Sequence, residues 1–275
     1  MKNMKAGLQL YTVRQAMTED MERTLKSVKD MGYDYVEFSG GRYGRTAEDT
    51  RELLEKCGLQ CISVHQSPTF FQNDPVDAVQ YVKTLGAEFA VIPVVRLPAY
   101  QENWEGTITL FRQMTEAFAS AGIKLLYHNH DHEMITLPGD HKRLLDRILS
   151  AVPGLAPEFD TCWVSYGGID PVEYLKQYAG QLDIVHLKDY RCNLLPDIPM
   201  WQLMKDGFEK PEKRSLCGFR YEPVGHGVEN WPGILDAAAG SGARYVVVEQ
   251  DESKGRDPLE AAAISRHYLR EEFGI

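Results

Sequence analysis

The sequence predicts an α/β fold, a single closed (β/α)8 TIM barrel over residues 1–275, and two observations carry that expectation. An amphipathic stretch ending at glycine recurs along the chain, each time followed within a few residues by an apolar, β-rich run. The candidate strands also end in polar or ionisable side chains, as strands converging on one barrel mouth do.

The first strand is Leu8-Gln9-Leu10-Tyr11-Thr12-Val13. The others follow the helix-ending glycines Gly32, Gly58, Gly86, Gly122, Gly154, Gly180 and Gly242 and begin near Tyr35, Cys61, Phe89, Leu125, the run ending at Asp160, Ile184 and Tyr245. Glycine after a helix supplies the left-handed conformation that stops it. The glycine intervals are 26, 28, 36, 32, 26 and 62 residues. The first five are each one β/α unit; the last holds one unit plus an insertion, roughly residues 190–222, a candidate lid or oligomer contact.

Between the strands, apolar residues fall at helical spacing: Met21/Leu25/Val28, Val76/Val79/Val82/Leu85, Ile108/Phe111/Met114/Phe118 and Val172/Leu175/Tyr178. Strands alternating with helices imply a parallel sheet, and eight such units fit a barrel of about 250 residues. The rival, an open doubly wound sheet, usually has fewer strands, and no GxGxxG follows the first strand.

Composition excludes several classes. With 43% hydrophobic and 25% charged residues the chain has globular proportions. A net charge of −10 disfavours general nucleic-acid binding. The longest apolar runs fall far short of the roughly 20 residues that span a bilayer. Five scattered cysteines without a CxxC read as reduced thiols in a cytoplasmic protein.

The chemistry lies in the strand ends. These are Gln9 and Tyr11, Glu37, His65, the run His128-Asn129-His130-Asp131-His132-Glu133, Glu158-Phe159-Asp160, His186-Leu187-Lys188-Asp189 and Glu249-Gln250-Asp251. Alternation puts His128 with His130, His186 with Lys188, and Glu249 with Asp251 on one side. Asp160, His186, Glu249 and one strand-five group then reach a single ion. Carboxylates converging in a buried mouth need a cation. Mixed Asp, Glu and His ligands without Cys suit Mn, Zn, Co, Ni or Mg.

These motifs, with Leu8–Arg14, resemble the sugar phosphate isomerase/epimerase family, xylose-isomerase-like TIM barrels related to type-four AP endonucleases. The resemblance implies a divalent metal held by a strand-five Glu, a strand-six Asp, a strand-seven His and a strand-eight Glu. Asp160, His186 and Glu249 match the last three. His128 stands where many members have the Glu, so the strand-five ligand is either His128 or, if the chain bends, Glu133, which keeps the usual charge balance. His130 matches a position that serves as a base in related dehydratases. Close relatives tend to carry Glu where Gly225-His226-Gly227 has histidine.

Such a site suits proton abstraction next to a carbonyl: a metal polarises the carbonyl and His128 or His130 moves the proton, with Glu249 as the carboxylate alternative. Lys188 is a candidate donor to the developing oxyanion. Gln9, Tyr11, Glu37, His65 and Trp163 are candidate substrate contacts, with Phe70, Phe71, Tyr100, Trp104, Tyr190 and Trp201 as further aromatics near the mouth. The expected activity is a metal-dependent sugar or keto-sugar isomerase or epimerase. The alternative is a lyase or dehydratase on a keto-sugar, keto-inositol or 3-keto-glycoside. The expected partner is a small sugar, with no nucleic acid and no membrane; a homo-oligomer is compatible.

Overall fold

The computed structural model describes residues 4–136, 141–192 and 218–275. Eight parallel strands close one ring: β1 (Lys5–Gln9), β2 (Tyr35–Phe38), β3 (Gln60–His65), β4 (Phe89–Ile92), β5 (Lys124–His128), β6 (Ala156–Asp160), β7 (Ile184–Leu187) and β10 (Tyr245–Val248), which pairs back onto β1. Two short antiparallel strands, β8 (Asp189–Arg191) and β9 (Arg220–Glu222), flank the insertion. Most of that insertion (193–217), with Trp201 and Cys217, lies outside the described residues.

Helices occupy the connections, among them Met21–Asp30, Ala47–Cys57, Pro75–Leu85, Trp104–Ser120, Trp231–Gly240 and Pro258–Phe273. The glycine signal behaves as expected: Gly58 (φ 69°) and Gly86 (φ 75°) close their helices in the left-handed region. Met21, Leu25 and Val28 are buried, as are Ile108, Phe111, Met114 and Phe118. Val76 departs from the expected stripe: it follows Pro75 in the first turn, points outward and is 78% exposed, and Ala78 and Tyr81 take the buried face instead.

The ring's interior follows the two-residue period of a strand. An apolar floor comprises Ile62, Phe89, Val91, Leu126, Ala156, Ile184, Tyr245 and Val247. Counting on in twos from it gives the polar groups: Leu126 leads to His128, Ala156 to Glu158 and Asp160, Ile184 to His186 and Lys188, and Val247 to Glu249 and Asp251. One irregularity shifts this register. Val36 pairs with Cys61 but Glu37 pairs with Ser63, leaving Ile62 as an extra residue on β3.

Strand one is shorter than expected. After Gln9 the chain turns into a 3-10 helix, Leu10–Val13, because the Gln9 side chain accepts the Tyr11 N–H (3.0 Å). Beyond β7, the buried Asp189 carboxylate accepts six N–H groups, from Tyr190, Gly225, Gly227, Val228, Glu229 and the Trp231 indole. A Cβ at Gly227 would lie 1.9 Å from Asp189 Oδ1, so that turn requires glycine. His226 between the glycines is exposed, and its carbonyl accepts Arg191.

Candidate active site

Two histidines organise the polar end of the barrel. His128 and His186 stand edge to face, 4.6 Å between ring centroids, and both are buried. Each ring presents one nitrogen to the mouth and the other to a deeper set.

On the mouth side, His128 Nε2 lies 3.8 Å from Asp160 Oδ2 and 4.0 Å from Glu249 Oε2, and His186 Nδ1 lies 3.1 Å from Glu249 Oε2. One donor atom from each of His128, Asp160, His186 and Glu249 lies within 4.8 Å of the others. The Lys188 ammonium closes this group at 2.9 Å from Asp160, 3.0 Å from Glu249 and 3.1 Å from Asp251. Asp251 also lines a cavity of about 440 Å³ shared with Thr12, Arg14 and Arg256.

On the deeper side, Glu158 stands one inward position before Asp160. Its Oε2 lies 3.2 Å from His128 Nδ1, 3.3 Å from His186 Nε2 and 3.4 Å from His65 Nε2. Glu37 Oε1 lies 2.8 Å from His186 Nε2 and 2.9 Å from His65 Nε2. It also receives Gln9 Nε2 at 2.6 Å, while Ser63 Oγ donates to Glu37 Oε2.

This packing sets the protonation states. Burial pushes the Asp160 carboxyl up to about 6, against the pull of Lys188. Burial and the neighbouring Glu37 carboxylate push Glu158 up to about 7. Burial also works against ionised Glu249, but Lys188 and His186 hold it below the usual carboxylate range. Glu37 is likewise held low, His65 and His186 outweighing its burial. Burial and the facing His186 keep His128 neutral, well below an ordinary imidazole. His186 is driven the other way: Glu158 and Glu37 outweigh its burial.

The mouth set fits a divalent metal. Its nitrogen and carboxylate donors are of the type Zn and Mn take, and all four side chains are buried with their donor atoms within 4.8 Å of one another. The carboxylates facing the far nitrogens, Glu158 for His128 and Glu37 for His186, are the arrangement that fixes the tautomer of a ligating histidine.

The remaining expected residues are spread over five surroundings. Glu133 is not in the mouth group: the chain leaves β5 into a 3-10 turn, Asp131–Met134, and Glu133 accepts the His130 N–H (2.8 Å) and the Tyr127 hydroxyl (2.7 Å) and pairs with His132 (2.9 Å). His130 thereby sits at the mouth, its ring 5.0 Å from His128 and 5.9 Å from Trp163. Lys188 lies 5.1 Å above the Trp163 ring, which stacks on Phe219. Tyr11 is 39% exposed under the Arg14 guanidinium. Gln9, Glu37 and His65 are bonded to one another on the deeper side. Tyr100 and Phe71 are core residues.

Sequence reasoning gave no role to Glu158 or Ser63. Counting back by two from Asp160, or from His65 to Ser63, was the signal that could have found them.

A closed parallel barrel whose carboxyl end gathers acids and imidazoles into one buried cluster is the class of molecule that this fold and site define. Within it, the chain belongs to the xylose isomerase-like TIM barrel family, which it matches over residues 25–272. It is 25% identical to the rhizopine catabolism protein MocC of Rhizobium meliloti over 273 residues, covering 90% of this chain and 80% of that protein. It is 28% identical to an inosose dehydratase of Clostridium botulinum over 284 residues, covering 92% of this chain and 90% of that enzyme. Among solved structures, a sugar phosphate isomerase/epimerase from Parabacteroides distasonis superposes with a TM-score of 0.76 at 22% identity, covering 98% of this chain and 94% of that one. The IolI protein with a bound zinc atom does so with a TM-score of 0.71 at 18% identity, covering 98% and 97%. At these identities the structures share the fold. No helix among the described residues is long and apolar enough to cross a membrane.

Proposed function

We propose that the protein is a metal-dependent enzyme that takes a proton from the carbon next to the carbonyl of a keto-sugar or keto-inositol and returns an isomer or epimer. The carrying observation is the convergence of His128, Asp160, His186 and Glu249 on one buried point, with Lys188 beside it.

His128 Nε2, Asp160, His186 Nδ1 and Glu249 would hold the ion, which when bound supplies Lewis-acid stabilisation of the enolate oxygen. His186 must give up its proton to ligate. His130, at the rim and in contact with the His128 and Trp163 rings, moves the substrate proton. Glu133 aims it by taking its backbone N–H. Lys188, its charge secured by three carboxylates, donates to the developing oxyanion. Tyr11, 39% exposed, offers an aromatic face to the sugar, while Trp163, fully buried between Lys188 and Phe219, backs the site. The buried thiols Cys57, Cys61 and Cys162 support a cytoplasmic setting.

A second reading, loss of water from the same enolate, is favoured by the inosose dehydratases that match most of this chain. Incubation of metal-loaded protein with a keto-sugar and keto-inositol panel in deuterated water tests both. Isomerisation gives carbon-bound deuterium in a product otherwise of substrate mass; dehydration gives a product lighter by water. Neither exchange nor product across the panel would contradict the proposal.

A further inference from the structure

We propose that the deeper set, His65 Nε2, His128 Nδ1, Glu158 Oε2 and His186 Nε2, is a divalent-cation site of the zinc class in its own right, distinct from the mouth set. This does not rest on the function proposed above.

The spacing is the first argument. Donors in tetrahedral zinc coordination at about 2.0–2.1 Å stand about 3.3 Å from one another. Glu158 Oε2 lies 3.2, 3.3 and 3.4 Å from the His128, His186 and His65 nitrogens. One donor atom from each of these residues lies within 4.8 Å of the rest, and all four side chains are buried. The mouth set is looser, at 3.8 and 4.0 Å from His128 Nε2 to its carboxylates.

Charge is the second. The mouth carboxylates already have the Lys188 ammonium. Among the described residues, every ion pair of Glu37 and Glu158 is to a histidine; no Lys or Arg reaches them. Both carboxylates are fully buried, and the cationic charge facing them is that of protonated imidazoles, which a divalent ion bound to those rings would replace. Among the described residues, Glu158 Oε1 has no hydrogen-bond partner. A cation among three imidazoles and a carboxylate, with Glu37 Oε1 2.8–2.9 Å from two of the ring nitrogens, answers these features together.

The shared rings connect the two sites. A neutral imidazole has one lone pair, so His128 and His186 serve one ion at a time unless they lose their remaining N–H and bridge as imidazolates. With the deeper site filled, their mouth-side nitrogens carry the protons and face Asp160 and Glu249.

The test is metal binding, read without activity. Chelator-stripped protein is titrated with Zn(II), and with Co(II) for its absorption spectrum. A variant with the mouth disabled, Asp160→Asn with Glu249→Gln, should still bind about one equivalent. Adding His65→Gln and Glu158→Gln should abolish that binding. If the mouth-disabled variant binds no more than the fourfold variant, the proposal is overturned. Circular dichroism of the metal-free proteins checks folding. Should the mouth-disabled variant not fold, His65→Gln with Glu158→Gln is read alone. Loss or alteration of the Co(II) spectrum supports the deeper site; unchanged spectrum and stoichiometry overturn it. The two readings fail separately. Metal lost only with the mouth ligands removes the deeper site, and metal lost only with His65 and Glu158 removes the mouth site.

Discussion

Lys188 Nζ lies 2.9 Å from Asp160 Oδ2, and the ammonium is almost entirely withdrawn from solvent. It holds the charge of two mouth carboxylates and of Asp251 at once. Lys188→Met should therefore destabilise the protein by about 3–5 kcal/mol, the usual cost of orphaning buried charge. Added Zn(II) or Mn(II) should restore part of the lost melting temperature. The same variant should lose at least about 100-fold in kcat with the oxyanion donor gone. Thermal melts with and without metal, and turnover of the active keto-sugar, check both; an unchanged melting temperature would contradict the charge argument.

Asp160→Asn and His186→Ala each remove one mouth donor. Each should reduce metal affinity at the mouth by at least about tenfold and bring enolisation to background. Elemental analysis and solvent-deuterium exchange are the measurements. Full exchange activity in both would remove this group from the mechanism.

Glu37 fixes the far nitrogen of His186 at 2.8 Å. Glu37→Gln keeps the shape and removes the charge. Apparent metal affinity should fall about 10–100-fold, read by competition with a chromophoric chelator, with the far-ultraviolet spectrum unchanged.

The pair His132–Glu133 makes stability pH-dependent. Burial alone would lower the His132 imidazole, but Glu133 at 2.9 Å raises it to about 9. A folded value above the unfolded one means the imidazolium stabilises the native state fully below about pH 6.5, and that this stabilisation is lost as pH rises through about 9. The difference in urea unfolding free energy between wild type and His132→Gln should shrink by about 2–3 kcal/mol between about pH 6 and pH 9.5. A difference independent of pH would refute the assignment.

Asp189→Ala removes the acceptor for six N–H groups. A loss of about 3–5 kcal/mol is expected, with Asp189→Asn intermediate. Amide exchange at Gly225, Gly227 and Val228 should speed up in the same order.

The barrel was legible in the sequence because helix-ending glycines recur at the length of one β/α unit and because strand ends carry polar groups in steps of two. Asp160, His186 and Glu249 were legible for the same reason. The step fails where the chain leaves a strand. After His130 the backbone turns into a 3-10 helix, so Glu133, six residues past Tyr127 in sequence, folds back onto the Tyr127 hydroxyl. After Gln9 a side chain captures the Tyr11 amide and ends β1, where the apolar, β-branched composition of Leu10–Val13 reads as strand. Both breaks come from local side-chain bonds to the backbone, which periodicity does not encode.

The extra residue on β3 has its own consequence. With Ile62 bulged, the strand sends Ile62 into the apolar floor and the next residue, Ser63, to the oxygen of Glu37. A strand of ideal pleat could serve oil or acid at those successive sites, not both. Grafting β2 and β3 between members of this fold would thus succeed only as a pair, because the kink in one is the socket for the carboxylate of the other.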